Sequence, residues 1–235
     1  MALRERAAAL FDLHLTAEQT AQFEAYARLL VERSAQINLT AITDPEGIEV
    51  RHFLDSLSVV KGVTPRAGMR MIDVGTGAGF PGLPLAIAFP EIHVTLMEAT
   101  GKKISFMQEV ITTLGLTNCD TLNARAEDAG HLPAHRAKYD VVLARAVARL
   151  PALLEYLLPL ARVGGLCVAL KGVTAQEEAS DSRKALSILG GKLQTIHKLM
   201  LPGVPDEHAL VVVEKTAPTL NAYPRKPGVP TRKPL

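Results

Sequence analysis

The residues best suited to chemistry stand together in 71–82, Met-Ile-Asp-Val-Gly-Thr-Gly-Ala-Gly-Phe-Pro-Gly. A short apolar run, the mark of a buried strand, breaks into the alternating glycines Gly75, Gly77 and Gly79. Alternating glycines let the chain turn tightly and let a ligand approach the backbone with no Cβ in the way. The apolar run after Pro81 reads as a helix over 82–88, with proline confined to its first turn. Strand, glycine loop and helix N-terminus form the place where an α/β sheet binds a nucleotide-like ligand. The dinucleotide spacing G-x-G-x-x-G is not met, because Phe80 stands where its third glycine belongs. Asp73 lies two residues before the loop, and an acid there suits a cationic group better than a pyrophosphate. A second acid, Glu98, closes the apolar run 93–98, about 20 residues past the glycines, where a ribose-binding carboxylate belongs.

These residues need a sheet to hold them. From residue 69 the pattern alternates strand and helix, as expected for an α/β fold with a mostly parallel sheet covered on both faces. Strands are expected near 70–74, 93–98, 119–123, 139–144 and 165–170, with helices near 82–88, 102–114, 151–162 and 174–189. Two more strand-like runs, 192–201 and 209–215, are separated only by Pro202-Gly-Val-Pro-Asp206, so the sheet should end in an antiparallel hairpin. Ahead of the sheet, Phe23, Tyr26, Leu30 and Ile37 repeat at helical spacing after Thr16, a suitable N-cap. The stretch 38–45 interrupts, and a second helix follows Pro45 through Leu57. His52 and Asp55 lie three apart on it; pinning this arm to the sheet is the preferred reading over a catalytic pair. The chain therefore divides into an N-terminal helical extension (1–62), a main domain (63–215) and a tail (216–235). The tail holds Pro218, Pro224, Pro227, Pro230 and Pro234 with Arg225, Lys226, Arg232 and Lys233 and no acid. It is expected to form neither a helix nor an interior strand, and to be either solvated or a basic strap for phosphates.

Composition sets bounds. The 235 residues are 48% hydrophobic, enough for a sizeable core, and the formal net charge of +2 leaves any nucleic-acid surface to be local. Cys119 and Cys167 form no C-x-x-C and read as buried free thiols, which suits a reducing cytoplasm. No apolar run is long enough to span a membrane, and the first residues carry no apolar signal segment.

The G-x-G-x-G loop with its preceding acid resembles motif I of S-adenosylmethionine-dependent methyltransferases. Further segments resemble one family: Asn38-Leu-Thr, His52-Phe-Leu-Asp-Ser56, Gly101-Lys-Lys-Ile104, Arg125-Ala-Glu127, Tyr139-Asp-Val, Arg145-Ala-Val, Leu170-Lys-Gly172 and Tyr223-Pro-Arg-Lys-Pro-Gly228. Together with 72–82 they are similar to the bacterial methyltransferase G family, also called glucose-inhibited division protein B, over nearly the whole chain from about residue 36. The resemblance implies a Rossmann-like methyltransferase fold. It implies methylation of N7 of guanine 527 in 16S ribosomal RNA, with S-adenosyl-L-methionine as donor, S-adenosyl-L-homocysteine as product and no metal. The expected cofactor residues are Asp73, Gly75, Gly77, Gly79, Phe80, Glu98, Ala99, Thr100, Ala126, Glu127 and Arg145. The expected partner is 16S rRNA or the small ribosomal subunit, with no membrane and a monomeric chain. One departure is His208, where the family often has a basic residue before the last strand.

Guanine N7 carries a lone pair and no proton, so the reaction needs positioning rather than a general base. The product ring is cationic, so a bare cation against the imidazole edge would oppose it. Arg125, Arg145 and Lys171, each after an expected strand, are the candidates for active-site work. Arg149, Arg225 and Lys226 are the candidates for RNA phosphates. A small-molecule methyltransferase is disfavoured by 4% aromatic content and no Trp. A non-catalytic RNA-binding protein should have an eroded glycine loop, and a nicotinamide dehydrogenase should lack the terminal hairpin.

Overall fold

A computed structural model describes residues 2–235; Met1, the first residue of the expected helical extension, lies outside them. The described residues form a seven-stranded sheet in the order β3-β2-β1-β4-β5-β7-β6. Its strands are β1 (Arg70–Val74), β2 (His93–Glu98), β3 (Cys119–Asn123), β4 (Tyr139–Arg145), β5 (Ala161–Lys171), β6 (Gly191–Leu199) and β7 (His208–Lys215). The pairs β1·β2, β1·β4, β2·β3 and β4·β5 are parallel, whereas β5·β7 and β6·β7 are antiparallel. The connection order reverses between β1 and β4, the crevice at which open α/β sheets bind ligands.

The strand period of two divides the core into two layers. Met71, Leu143, Val168 and Val212 face one cluster, which also holds Phe23, Tyr26, Leu30, Phe53, Leu83 and Phe106. Ile72, Val142, Cys167 and Val211 face the other, with Leu150, Leu153, Leu157 and Leu189. The N-terminal helices thus share a core with the sheet. Helix Ala17–Ile37 begins with a full capping box between Thr16 and Gln19. Gln19 also donates to the carbonyls of Ile87 and Ala88, and Arg33 pairs with Glu109 at 2.5 Å.

The structure corrects several sequence expectations. The helix after Pro45 is not plain α: Ile48–Leu54 is a π-helix, followed by one α turn, Asp55–Leu57, and a 3₁₀ turn, Ser58–Lys61. The helix expected over 151–162 ends at Leu157, because Pro159 has no N–H to continue it. The one expected over 174–189 is two helices, Ala175–Asp181 and Arg183–Leu189, broken where the Ser182 hydroxyl donates to the Glu178 carbonyl. Cys119, on edge strand β3, is only half-buried, while Cys167 is buried.

The tail departs furthest from expectation. It contains a one-turn helix, Val229–Arg232, whose Pro230 sits in the first turn, where a missing N–H costs nothing. It is also docked. Arg136 donates to the carbonyls of Gly130, Thr219, Leu220 and Tyr223, and His131 Nε2 donates to the Pro224 carbonyl at 2.7 Å. Among the described residues, no helix is long and apolar enough to cross a membrane.

Candidate cofactor cleft and adjoining pocket

The glycine loop is built on Asp73. This carboxylate is fully buried; its Oδ2 accepts from the Thr76 hydroxyl at 2.5 Å and from Gly82 N at 2.7 Å. Its Oδ1 is buried without a hydrogen-bond partner. Burial pushes the Asp73 carboxyl up to about 6, against the opposing pull of the bonds from Thr76 and Gly82 and of the Arg145 charge. The N–H groups of Gly75 and Thr76 donate to the Met97 carbonyl, and the Tyr26 hydroxyl donates to the Ala78 carbonyl at 2.6 Å, so β2 and the N-terminal helix clamp the loop from both sides.

Two of the glycines do different work. Gly77 has φ +64, and a Cβ on it would meet no protein atom within 4 Å. Gly79 has φ +106, and a Cβ there would lie 2.3 Å from Leu83 Cδ1 and 2.8 Å from the Tyr26 hydroxyl. Gly77 therefore fronts open space, whereas Gly79 belongs to the packing behind the loop. Glu98 joins the two sides: Oε2 accepts from Gly77 N at 3.2 Å and Oε1 from Thr100 N at 2.9 Å.

Beside the loop runs a cleft of about 210 Å³. Gly75, Glu98, Ala99, Ala126 and Glu127, all among the expected cofactor residues, line it, and so does Arg125 of the expected catalytic set. Val147, Tyr156 and Thr231 line it too, and sequence reasoning named none of them. Thr231 comes from the far end of the chain, and no local pattern marks it. Asp73, Gly79 and Phe80 do not line the cleft; they stand behind it as supports. Thr100 caps Glu98 from the exposed start of helix Gly101–Leu114.

Arg145, expected in both the cofactor and the catalytic sets, ends β4 beside the cleft without lining it. Its guanidinium lies 4.9 Å from the centre of the buried Phe80 ring, and the His52 ring stacks on Phe80 at 4.4 Å. Arg145 donates to Asp55 Oδ2 and to the Arg51 carbonyl, both at 2.9 Å. His208 Nδ1 donates to Asp55 Oδ1 at 2.8 Å. Burial raises the Asp55 carboxyl, but the bonds from His208 and Arg145 outweigh it and hold the group below the usual carboxylate value. Burial, reinforced by the Arg145 charge, lowers His52 to about 4, so its ring is neutral; Nδ1 lies 3.2 Å from the Arg51 carbonyl and 3.3 Å from Arg145 Nη2, and Nε2 lies 2.8 Å from the Thr40 hydroxyl.

Arg145, Asp55, His208, Lys171 and Glu178 line a second pocket of about 310 Å³. There Lys171 donates to the Ala148 carbonyl at 2.6 Å and pairs with Glu178 at 2.8 Å. The end of β4 is the wall between the two cavities. Arg145 and Ala146 face the second pocket, and Val147 faces the cleft. Ala146 takes φ +56, an unfavourable value for a residue with a Cβ, and this turn aims its neighbours to opposite sides. Of the expected catalytic set, the structure brings together Arg145 and Lys171, while exposed Arg125 stands in the cleft. A larger hollow of about 350 Å³ between Asp44 and Gly203 holds none of the loop residues.

The expected phosphate contacts diverge. Arg149 is exposed and pairs with Glu177 and Asp181. Arg225 is committed inward: its backbone N, Nε and Nη2 all donate to Glu155, which is fully buried, so its guanidinium is not an open phosphate site. Lys226 is exposed.

The parallel sheet with a terminal antiparallel hairpin, and a cleft at the carboxyl ends of β1, β2 and β4, define a Rossmann-like methyltransferase fold. A solved S-adenosylmethionine-dependent methyltransferase from Aquifex aeolicus shares it, with a TM-score of 0.54 at 19% identity, over 73% of this chain and 94% of that one. The family model for rRNA small subunit methyltransferase G (GidB) matches residues 19–209, and the chain belongs to that family. The ribosomal RNA small subunit methyltransferase G of Pelotomaculum thermopropionicum is 49% identical, covering 94% of this chain and 92% of that protein. Its counterpart in Desulforamulus reducens is 46% identical, covering 98% and 96%.

Proposed function

We propose that this chain transfers a methyl group from S-adenosyl-L-methionine to N7 of a guanine in 16S ribosomal RNA, guanine 527 by family resemblance. The observation that carries the reading is the shared wall 145–147, which sets the cleft and a pocket lined by Arg145, Asp55, Lys171 and Glu178 side by side at the end of β4. The family and the names of its relatives point the same way.

The residues present fit the cofactor. Asp73 Oδ1 is a buried acceptor without a partner beside a cleft meant for a cationic ligand. Glu98 suits ribose hydroxyls and Glu127 suits an adenine amino group, since both are acceptors at the carboxyl edge of the sheet. When bound, S-adenosylmethionine supplies a methyl group already activated by its sulfonium.

The chain's own part is to place the target base. The second pocket offers donors on Arg145 and Lys171 and acceptors on Asp55 and Glu178, a mixture that suits the O6, N1–H and N2–H groups of guanine. Each cation there is matched by an acid, Arg145 by Asp55 and Lys171 by Glu178. Such a neutralised pocket can grip the base without opposing the positive charge that develops on alkylation at N7. A base from a single-stranded loop reaches it at small cost.

The test is methyl transfer to small ribosomal subunits that lack the modification, using radiolabelled S-adenosylmethionine and chemical cleavage at 7-methylguanosine. One labelled, cleavable guanine is expected. Label without cleavage would assign another acceptor atom, and no label would overturn the reading.

A further inference from the structure

We propose that the C-terminal segment Gly228–Arg232 is part of the cofactor site: it holds Glu127 and Tyr156 in place at the adenine end of the cleft and closes that end with Thr231. This rests on the reading of the cleft as the S-adenosylmethionine site, and it reassigns a segment whose sequence suggested only a solvated tail or a strap for RNA.

The contacts run from the tail to the cleft. Gly228 N donates to Glu127 Oε1 at 3.1 Å. The Thr231 hydroxyl donates to the Gly228 carbonyl at 3.3 Å, and Tyr156 lines the cleft together with Glu127 and Thr231. Tyr156 and Glu127 are both buried, while Thr231 is exposed at the mouth of the cleft it lines. Glu127 sits on a single helical turn, Ala126–Ala129, which is too short to be rigid by itself. The tail supplies the rigidity that turn lacks.

The segment is anchored just upstream, and the anchor makes a positional role possible. Arg225 grips the buried Glu155 on helix Leu150–Leu157, the helix that carries Tyr156. Pro224 packs so closely on Gly130 that a Cβ there would lie 2.6 Å from Pro224 Cγ. Downstream, Pro230 is buried and Leu235 packs on the second core cluster. The chain between these anchors has little freedom, so a hydroxyl at 231 is delivered to one place. A carboxylate held by a backbone N–H is an oriented acceptor, and it discriminates better for an amino group than a free one.

The experiment is titration calorimetry with S-adenosylhomocysteine and no RNA present. The proteins are the wild type, Thr231→Val, Thr231→Ser, a chain ending at Gly228, and Glu98→Ala as a control of the cleft itself. Thr231→Val should weaken binding about threefold to tenfold, the range of one net hydrogen bond, and Thr231→Ser should restore it. The shortened chain, if its melting profile shows it folded, should lose at least about tenfold. In turnover, Thr231→Val should raise KM for S-adenosylmethionine and leave KM for RNA unchanged. Wild-type affinity in Thr231→Val, or a rise confined to KM for RNA, would overturn the proposal and return the tail to an RNA role. Should the shortened chain not fold, the Val and Ser pair decides alone. Unchanged binding in Glu98→Ala would instead show the reading of the cleft to be wrong.

Discussion

Asp55 and Arg145 meet at 2.9 Å across 90 residues of sequence, and this ion pair ties the N-terminal helices to the end of β4. Asp55 is buried and also takes the bond from His208 on β7. The expected role of His52 and Asp55 was to pin the helical arm to the sheet, and their contacts with Arg145, Phe80 and His208 do that. Asp55→Ala leaves a partly buried guanidinium without its acid. Removing one partner of such a pair should cost about 2–4 kcal/mol in urea denaturation. Methyl transfer should fall further than stability explains, because Arg145 then brings an unmatched positive charge to the base pocket.

On the proposed function, Asp73 should make cofactor affinity depend on pH. Its carboxyl is raised to about 6 in the folded chain, so it is ionised above that pH and protonated below it. A cationic ligand favours the ionised form. Affinity for S-adenosylmethionine should therefore be full above about pH 6 and fall by up to about tenfold for each further unit of acidity. Calorimetry between pH 5 and pH 8 measures this, and Asp73→Asn should flatten the profile.

Gly77 and Gly79 should separate binding from folding. Gly77→Ala has room but pays about 1–2 kcal/mol for its left-handed conformation, and its methyl group enters the space fronting the loop. It should remain folded and lose most cofactor binding. Gly79→Ala drives a methyl group into Leu83 and Tyr26. It should melt well below Gly77→Ala, and a Gly79 variant as stable as the wild type would contradict the packing described.

Arg225 and Lys226 are neighbours with opposite predicted effects. Arg225→Ala strands the buried Glu155 and should destabilise the fold by about 3–5 kcal/mol. Replacing the pair, Arg225→Met with Glu155→Leu, should recover much of that loss. Lys226→Ala should leave the melting temperature in place. Its RNA affinity should fall, with the dependence of log K on log salt shallower by about 0.7, the value for one phosphate contact on a single strand. An unchanged salt slope would remove Lys226 from the RNA surface.

What the sequence determined by itself is local. Short apolar runs bounded by turn residues placed β1, β2, β3 and the hairpin of β6 and β7 closely, because a strand and the turns that end it are written in consecutive residues. The glycines at 75, 77 and 79 marked the loop, because close backbone approach excludes a Cβ. Thr16 marked a helix start, because capping is completed within one turn. What only the tertiary structure decided is pairing at a distance. No spacing rule leads from Asp55 to Arg145, from Arg225 to Glu155, or from Gly228 to Glu127, since each pair is set by how whole elements pack. The same reason set Arg145 beside the cleft, turned Asp73 and Phe80 from walls into supports, and brought Thr231 of the tail to the cleft. Charge and composition describe what a residue can do; the packing around it decides which partner it is given.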